Sequence, residues 1–466
     1  MSSIVFSDDE PAPPRPQQID TPVPASNDVG IKIHCATKTV NALEALEVTT
    51  LVTIKAPSST TSSAYRPGVD LVAVLDCSGS MSGEKISLLR QTLVAAVEVL
   101  NPHDRLSIIK FETSPARLTP LQCMNESGKL AAREAILQLS ADGGTNIKAA
   151  LSMATAVVAQ RRSRNPVCSI LLLSDGQDGT RGLAYRELVQ QARDAGASVS
   201  SVGYGADHDA GLLGAIAEMG SGEFTYIENL AQTRQTFGRF LGSLFSVTAQ
   251  SVSLQLRPKA GATLAKVFAD GTQRSLEDGS VQVEVGELFA DESRDVLVEM
   301  SLPAQVGEVA EGLVSGVAYM EATLSWLEPG AEEANRRTGQ PTTLWLRRHL
   351  EAEGAGVAAA DSDVESAEVE AAAVVIEQQR NRLRAVDAIA RAVRAGDAGQ
   401  ILQAQAILQE ASQLVAASRT ASLPLDRALI ADLKDAANRL SSRSEYLSSG
   451  SAKVRHPPLT EACPYE

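Results

Sequence analysis

The chain has 466 residues and carries 42 Lys and Arg against 57 Asp and Glu, which gives a net charge of −15. This length allows roughly two to four domains. The acidic balance argues against binding to nucleic acids or anionic membranes, because phosphate groups need a basic surface. The five cysteines show no CxxC spacing, which argues against a disulfide framework or a zinc module and favours a reducing, cytoplasmic location. The sequence shows no signal peptide and no run of about 18 apolar residues, so we expect no membrane span.

The N-terminal region changes character near residue 29. Residues 1–28 contain six prolines and five acids, so we expect an acidic, Pro-rich disordered tail. Residues 29–57 alternate apolar and polar side chains with a period of two, which predicts strands. Two strands are too few to stand alone, so we expect them to join a β domain that lies further along the chain. The region between these two strands and the later strands would then be an insertion into the β domain.

Residues 68–247 have the pattern of an α/β domain. Leu71–Leu75 and Val167–Leu173 are continuous apolar runs, typical of strands that are buried on both faces. Segments with helical spacing follow each run. This alternation predicts a doubly wound, mainly parallel sheet of the Rossmann-like type. Residues 248–350 return to a period of two with Gly- and Asp-containing turns, which predicts a β-sandwich-like domain.

The last quarter of the chain is rich in alanine. Residues 351–374 hold seven acids and no Lys or Arg, and we interpret them as an acidic linker. Residues 375–448 show long helical periodicity with breaks near Gly396 and Pro424, which predicts a helical bundle or hairpin. Residues 449–466 are expected to form a tail.

Polar side chains follow the first buried strand and recur at two later points. Asp76, Ser78 and Ser80 come directly after that strand, Thr145 precedes a helix, and Asp175 follows the strand at 167–173. Ligands of doubly wound sheets bind beyond the carboxyl ends of the strands. Carboxylates and hydroxyls without sulfur or nitrogen donors suit a hard cation, Mg²⁺ first and Mn²⁺ or Ca²⁺ next. We therefore predict a metal site at this edge.

These five positions, in the order DxSxS, Thr and Asp, resemble the von Willebrand factor type A (VWA) family and its metal-ion-dependent adhesion site. The resemblance covers residues 68–247. It implies that the serines and the threonine contact the metal directly, while the two aspartates act mostly through water. It also implies that an acidic side chain of a protein partner completes the coordination, since the cation stays electrophilic. We therefore expect a noncatalytic, metal-dependent protein-interaction module, also because no nucleophile–base pair is recognisable.

The C-terminal region adds a second resemblance. Glu377–Arg384 and Gln403–Leu408 are similar to the helical region of plant-like VWA/RING proteins, some of which are RING-type ubiquitin ligases. A RING needs about eight ligands for two zinc ions, and residues 1–67 contain only His34 and Cys35. The alternative function is thus a substrate-recruiting or accessory component of a ubiquitin ligase system. A third possibility is a metal site that only stabilises the fold.

Four further segments have simpler interpretations. Arg161–Arg164 is expected to be a solvated helix end, Cys77 a structural residue, and Asp142 and Asp178 turn residues. The acidic segment 351–374 gives the hypothesis of an autoinhibitory ligand for the metal site of its own or another chain.

Overall fold

The computed structural model describes residues 6, 9–12, 28–41, 44–58, 66–175, 183–204, 209–227, 233–269, 271–304, 314–349 and 363–440. The strands in chain order are β1 (Gly30–Cys35), β2 (Thr39–Asn41), β3 (Leu46–Lys55), β4 (Val69–Asp76), β5 (Arg105–Phe111), β6 (Pro115–Arg117), β7 (Gln122–Cys123), β8 (Val167–Ser174), β9 (Ser198–Tyr204), β10 (Ser221–Ile227), β11 (Val247–Pro258), β12 (Thr263–Phe268), β13 (Thr272–Ser275), β14 (Val281–Phe289), β15 (Ser293–Leu302), β16 (Val314–Leu327), β17 (Arg337–Thr338) and β18 (Thr342–His349). The helices are α1 (Glu84–Val99), α2 (Glu126–Leu137), α3 (Ile147–Ala159), α4 (Leu183–Asp194), α5 (Ala210–Met219), α6 (Thr233–Phe245), α7 (Asp363–Asp397), α8 (Ile401–Ala416) and α9 (Pro424–Arg439).

The α/β domain is built on a twisted sheet in the order β10-β9-β8-β4-β5-β6, with β7 also paired to β5. Strands β4, β5, β8, β9 and β10 run parallel to one another, whereas β6 and β7 run antiparallel to β5. Helices α1, α2 and α6 pack on one face of the sheet, and α3, α4 and α5 pack on the other. Every residue of β4 and β8 is buried. The predicted doubly wound, mainly parallel fold is confirmed.

The remaining strands form two sheets that share one hydrophobic core. One sheet has the order β1-β3-β15-β12, and the other has the order β13-β14-β11-β16-β18-β2, with β17 paired to β16. Strand β3 pairs with β15 along its whole length, from Leu46 opposite Leu302 to Lys55 opposite Ser293. The chain thus completes three strands, enters the α/β domain, and returns to the same core.

One turn binds both crossings between these domains. The amide of Ala56 donates to the carbonyl of Glu292 (2.8 Å), and the amide of Asp291 donates to the carbonyl of Pro57 (3.1 Å). On the return crossing, the amide of Ala290 donates to the carbonyl of Ser246 (2.7 Å). The turn at 290–292 therefore holds the exit and the return of the chain together.

The C-terminal helices pack on each other and on the sandwich. Helix α7 is 35 residues long, and its Ile376 packs against Leu51 and Leu297 of the first sheet. It begins inside the stretch predicted as a linker, because alanines favour helix and acidic side chains are favourable in a first turn. Residues 351–362 lie outside the described residues, as do residues 441–448 of the predicted helical region and the tail 449–466.

The N-terminal stretch differs from the predicted disordered tail. Phe6 and Asp9–Ala12 contact the α/β domain, and the Asp9 side chain is buried there beside Arg117. Composition alone cannot reveal such partners, because they lie more than 100 residues away along the chain. Within the described part of the chain, no helix combines the length and the apolar character needed to cross a membrane.

Candidate functional site

Two loops meet where β4 ends, at what we call the carboxyl-terminal edge of the sheet. The amide of Asp142 donates to the carbonyl of Cys77 (2.8 Å), and the amide of Gly79 donates to the carbonyl of Gly143 (3.1 Å). These two backbone hydrogen bonds cross-link the loop that follows β4 to the loop that precedes α3. Side chains from both loops therefore share this edge.

Asp76 forms the buried base of the site. One carboxylate oxygen accepts a hydrogen bond from the amide of Ser78 (2.9 Å), and the other accepts one from the hydroxyl of Ser174 (2.5 Å). Burial raises the pKa of Asp76, while these hydrogen bonds oppose the rise and the charge of Asp175 adds to it. The side chain is thus fixed in position by neutral donors.

The hydroxyls lead from this base towards solvent. The Oγ atoms of Ser78 and Ser80 are 3.0 Å apart, and the Ser80 hydroxyl donates to Asp175 Oδ1 (2.7 Å). The other carboxylate oxygen of Asp175 binds the ammonium group of Lys85. Ser78 is 2% exposed, whereas Ser80 is exposed. Four of the five predicted site residues therefore belong to one connected cluster.

The fifth predicted residue, Thr145, lies half-buried on the neighbouring loop, directly before the cap of α3. Asn146 caps that helix by accepting a hydrogen bond from the amide of Ala149 (3.0 Å). Gly143 has a φ of 75°, and a Cβ atom there would lie 2.6 Å from Glu112 Oε2. A side chain at 143 would thus be strained and crowded, so glycine keeps the loop close to the site.

Three residues that support the site were missed by sequence reasoning. Lys85 lies in the first turn of α1 and pairs with Asp175, which is 90 residues away. Ser174 precedes Asp175 and holds Asp76. Thr113, in the loop after β5, accepts a hydrogen bond from the amide of Gly144 (3.1 Å). The position of Lys85 just beyond the DxSxS motif was the one available signal.

The donors at this edge fit a hard divalent cation. They are two carboxylates and three hydroxyls, all of them oxygen ligands of the type that Mg²⁺ and Ca²⁺ prefer. Cys77 is buried, and burial raises its pKa to about 11, so it remains a thiol at neutral pH. Among the described residues, no three His, Cys, Asp or Glu side chains cluster as metal ligands. A cation here would accordingly depend on the hydroxyls.

The opposite, amino-terminal edge of the sheet holds a buried ion network. Asp70 accepts from Arg105 through Nε and Nη2 (both 2.7 Å) and from Arg161 Nη1 (2.7 Å). Arg161 also donates to the carbonyl of Ala195 (2.7 Å). The prediction that Arg161 belongs to a solvated helix end is wrong, because its side chain is 1% exposed and its guanidinium pairs with Asp70.

The comparison with known families matches both regions that carry motifs. Residues 70–239 match the family described as "von Willebrand factor type A domain". This chain carries a VWA domain. Residues 374–457 match the family described as "CPSF6-like, RSLD domain, N-terminal region". The VWA match begins in β4 and ends in α6, so it spans the parallel sheet and the helices on both of its faces.

Similar proteins come from plants and from a bacterium. The "E3 ubiquitin-protein ligase WAV3" of Arabidopsis thaliana is 33% identical over 51% of this chain and 32% of its own length. The "E3 ubiquitin-protein ligase WAVH1" of the same plant is 30% identical over 54% of this chain and 34% of its own length. This chain thus spans about a third of these relatives. A solved structure, "von Willebrand factor type A from Catenulispora acidiphila", has a TM-score of 0.66 at 18% identity and covers 87% of this chain and 89% of its own. That likeness shows a shared fold.

Proposed function

We propose that the VWA domain binds a divalent cation, Mg²⁺ first and Mn²⁺ or Ca²⁺ next, and through it an acidic side chain of a protein partner. The ligands would be Asp76, Ser78, Ser80, Thr145 and Asp175. The cation would supply the positive charge that draws in the partner's carboxylate. The module is a binding module without a catalytic step, and its free cysteines suit a reducing, cytoplasmic environment.

The observation that carries this proposal is the connected cluster at the carboxyl-terminal edge. It runs from Ser174 through Asp76 and its hydrogen bond to the Ser78 amide, and from the Ser78 hydroxyl through Ser80 to Asp175. These hydrogen bonds place the hydroxyl oxygens of Ser78, Ser80 and Ser174 close to the carboxylates of Asp76 and Asp175.

The charge balance at this edge supports the same proposal. Among the proposed ligands, Asp76 and Asp175 contribute two formal negative charges, and Lys85 pairs with Asp175. One formal negative charge remains, which a divalent ion would reverse to a net positive one. A site with a net positive charge and hydroxyl ligands attracts a carboxylate from outside.

The test is a selection of displayed random peptides on the full chain in Mg²⁺ and in EDTA. We expect peptides that bind in Mg²⁺ alone and that lose binding when their Asp or Glu is replaced by Asn or Gln. The same peptides should fail to bind Asp76→Ala, while Glu98→Ala, which replaces an exposed residue of α1 that pairs with Arg133, should bind them normally. Equal binding in EDTA, or equal binding to Asp76→Ala, would refute the metal-bridged mode.

A second candidate follows from the names of the plant relatives. We propose as the alternative that the chain recruits substrates for, or assembles with, a ubiquitin ligase. The similarity of this chain to two proteins named E3 ubiquitin-protein ligases favours it. Proximity labelling with the full chain in cells separates the candidates, since this alternative requires E2 or E3 components among the labelled proteins. Their absence would reject it.

A further inference from the structure

The N-terminal residues contact a groove at the amino-terminal edge of the VWA sheet, on the side opposite to the metal ligands. We call Phe6 and Asp9–Ala12 the anchor segment. Its backbone is bound at three points that span the segment. The Phe6 amide donates to Gln160 Oε1 (2.7 Å), the Glu10 amide to the carbonyl of Leu121 (3.0 Å), and the Ala12 amide to Ser163 Oγ (2.5 Å).

The acidic side chains of the anchor segment are matched one by one. The Asp9 carboxylate binds the Arg117 guanidinium and accepts from the amide of Leu121 (3.1 Å). The Glu10 carboxylate accepts from the amide of Cys123 (2.8 Å). The side chains of Asp9 and Arg117 are 3% and 7% exposed. A buried charge pair of this kind is a specific contact, because either charge left alone in the groove would be costly.

Arg117 also makes an aromatic contact with the anchor segment. The Arg117 guanidinium lies over the Phe6 ring, 4.3 Å from its centroid. Phe6 also packs against the hydrophobic core between the sheet and α3. Arg105 donates to the carbonyl of Glu10 (2.6 Å) while it holds Asp70. Arg117 therefore contacts both the Phe6 ring and the Asp9 carboxylate, and Arg105 binds the backbone of the anchor segment at Glu10.

We propose that this groove is a recognition site for an acidic peptide of the pattern Phe-x-x-Asp-Glu, and that the chain's own anchor segment is its resident ligand. The amide of Cys123 in β7 and that of Leu121 just before it bind the two carboxylates. Arg117 supplies the positive charge, and the hydrophobic core packs against the Phe6 ring. Edge strands commonly bind extended peptides through main-chain hydrogen bonds, with side-chain contacts that add specificity. The groove is separate from the metal-binding edge and does not depend on it.

The test measures binding of the peptide as a separate molecule. The probe is a fluorescein-labelled peptide of residues 4–14, IVFSDDEPAPP, and the receptor is the full chain with Phe6→Ala, Asp9→Ala and Glu10→Ala. We expect saturable binding by fluorescence anisotropy. The unmodified chain should bind the peptide at least about tenfold more weakly, because its own segment competes at a high effective concentration. Adding EDTA should change neither value.

Two controls make the result specific. Adding Arg117→Ala to the receptor should weaken binding by more than about 30-fold, because it removes one partner of a buried charge pair. Adding Arg133→Ala instead should change nothing, since Arg133 forms an exposed pair with Glu98 on α2 and α1. Absence of peptide binding to the triple variant, or equal binding to that variant and to the unmodified chain, would overturn the proposal.

A second measurement covers the case in which the triple variant does not fold. Hydrogen exchange of the full chain carrying Arg117→Ala should show faster exchange at the Glu10 amide, by about tenfold or more, as the segment is released. Arg133→Ala should leave that amide protected. Unchanged protection in Arg117→Ala would contradict the role given to the arginine and with it the proposed recognition.

Discussion

The two edges of the VWA sheet treat their buried carboxylates in opposite ways. At the amino-terminal edge, Asp70 is neutralised by two fixed guanidinium groups from Arg105 and Arg161. At the carboxyl-terminal edge, within the described residues, Asp76 is held by neutral donors. Asp175 at that edge forms an ion pair with Lys85, whose side chain is partly exposed. Buried charge must be compensated. The first edge carries its own compensating arginines, whereas compensation at the second edge is incomplete in the part of the chain that the structure describes, and the proposed cation would complete it.

This difference contrasts a structural role at one edge of the sheet with the proposed binding role at the other. Both edges hold aspartates from β4, only six residues apart in sequence. The guanidinium groups at one edge are locked by further bonds to backbone carbonyls, such as that of Ala195. The hydroxyls at the other edge are small and lead outward to the exposed Ser80. The predictions below test this contrast, beginning with the largest expected effect.

Replacing Asp70 should strongly destabilise the domain. Asp70→Ala leaves the guanidinium groups of Arg105 and Arg161 buried without their carboxylate, and we expect a loss of about 3–5 kcal/mol in the free energy of unfolding. Urea denaturation measures this loss. Glu98→Ala removes an exposed ion pair and should cost about 1 kcal/mol or less. Equal losses in the two variants would show that the buried network contributes no more to stability than an exposed ion pair.

Replacing Asp76 should instead remove the response to metal. In the unmodified chain, Mg²⁺ at about 100 times its dissociation constant should stabilise the fold by about 2.7 kcal/mol. In Asp76→Ala this increment should vanish, as measured by unfolding in Mg²⁺ and in EDTA. Glu98→Ala, away from the site, should keep this increment. A full Mg²⁺ response in Asp76→Ala would place the ion elsewhere.

Lys85 should weaken the binding of the cation while it positions Asp175. Its ammonium group pairs with Asp175, a proposed ligand, so Lys85→Met would remove a positive charge that repels the proposed cation. We expect Mg²⁺ affinity to rise by about 1 kcal/mol, or about fivefold. Calorimetric titration measures the change, and Lys129→Met, on α2, serves as the control. A loss of affinity would mean that Lys85 acts mainly by holding Asp175.

The smallest effect concerns pH. Because burial raises the pKa of Asp76, the folded chain in EDTA binds its proton more tightly than the unfolded chain. Its stability should therefore fall as the pH rises from about 4 towards the raised pKa, by less than about 1.4 kcal/mol per pH unit. Unfolding in EDTA at a series of pH values checks this, and Asp76→Asn should flatten the slope. If Asp76→Asn showed the same slope as the unmodified chain, the pH dependence would come from another titratable group.

The sequence revealed those parts of the molecule whose signals are local. The apolar run of β4 and the DxSxS spacing that follows it lie in one stretch, so the position of Asp76, Ser78 and Ser80 at a sheet edge was predictable. The helical segments that follow the apolar runs of β4 and β8 were also predictable from periodicity. The strands before and after the VWA domain showed a period of two, and they form one core in the structure.

The parts that sequence reasoning missed depend on contacts between distant residues. Lys85 is an ordinary helix residue until Asp175 lies beside it. Arg161 resembles a solvated arginine until Asp70 is placed within reach. The anchor segment is rich in proline and acid, which predicts disorder, but Arg117 and the amides of Leu121 and Cys123 compensate its charge. The composition of a segment does not reveal the distant residues that the segment contacts in the folded protein.

The most direct test of the metal site is a calorimetric titration of Mg²⁺ into the full chain and into Asp76→Ala and Ser80→Ala. The account predicts one saturable site per chain, absent in Asp76→Ala and weakened in Ser80→Ala. The same site in all three proteins, or no site in the unmodified chain, would contradict the assignment of this edge as the metal-binding edge.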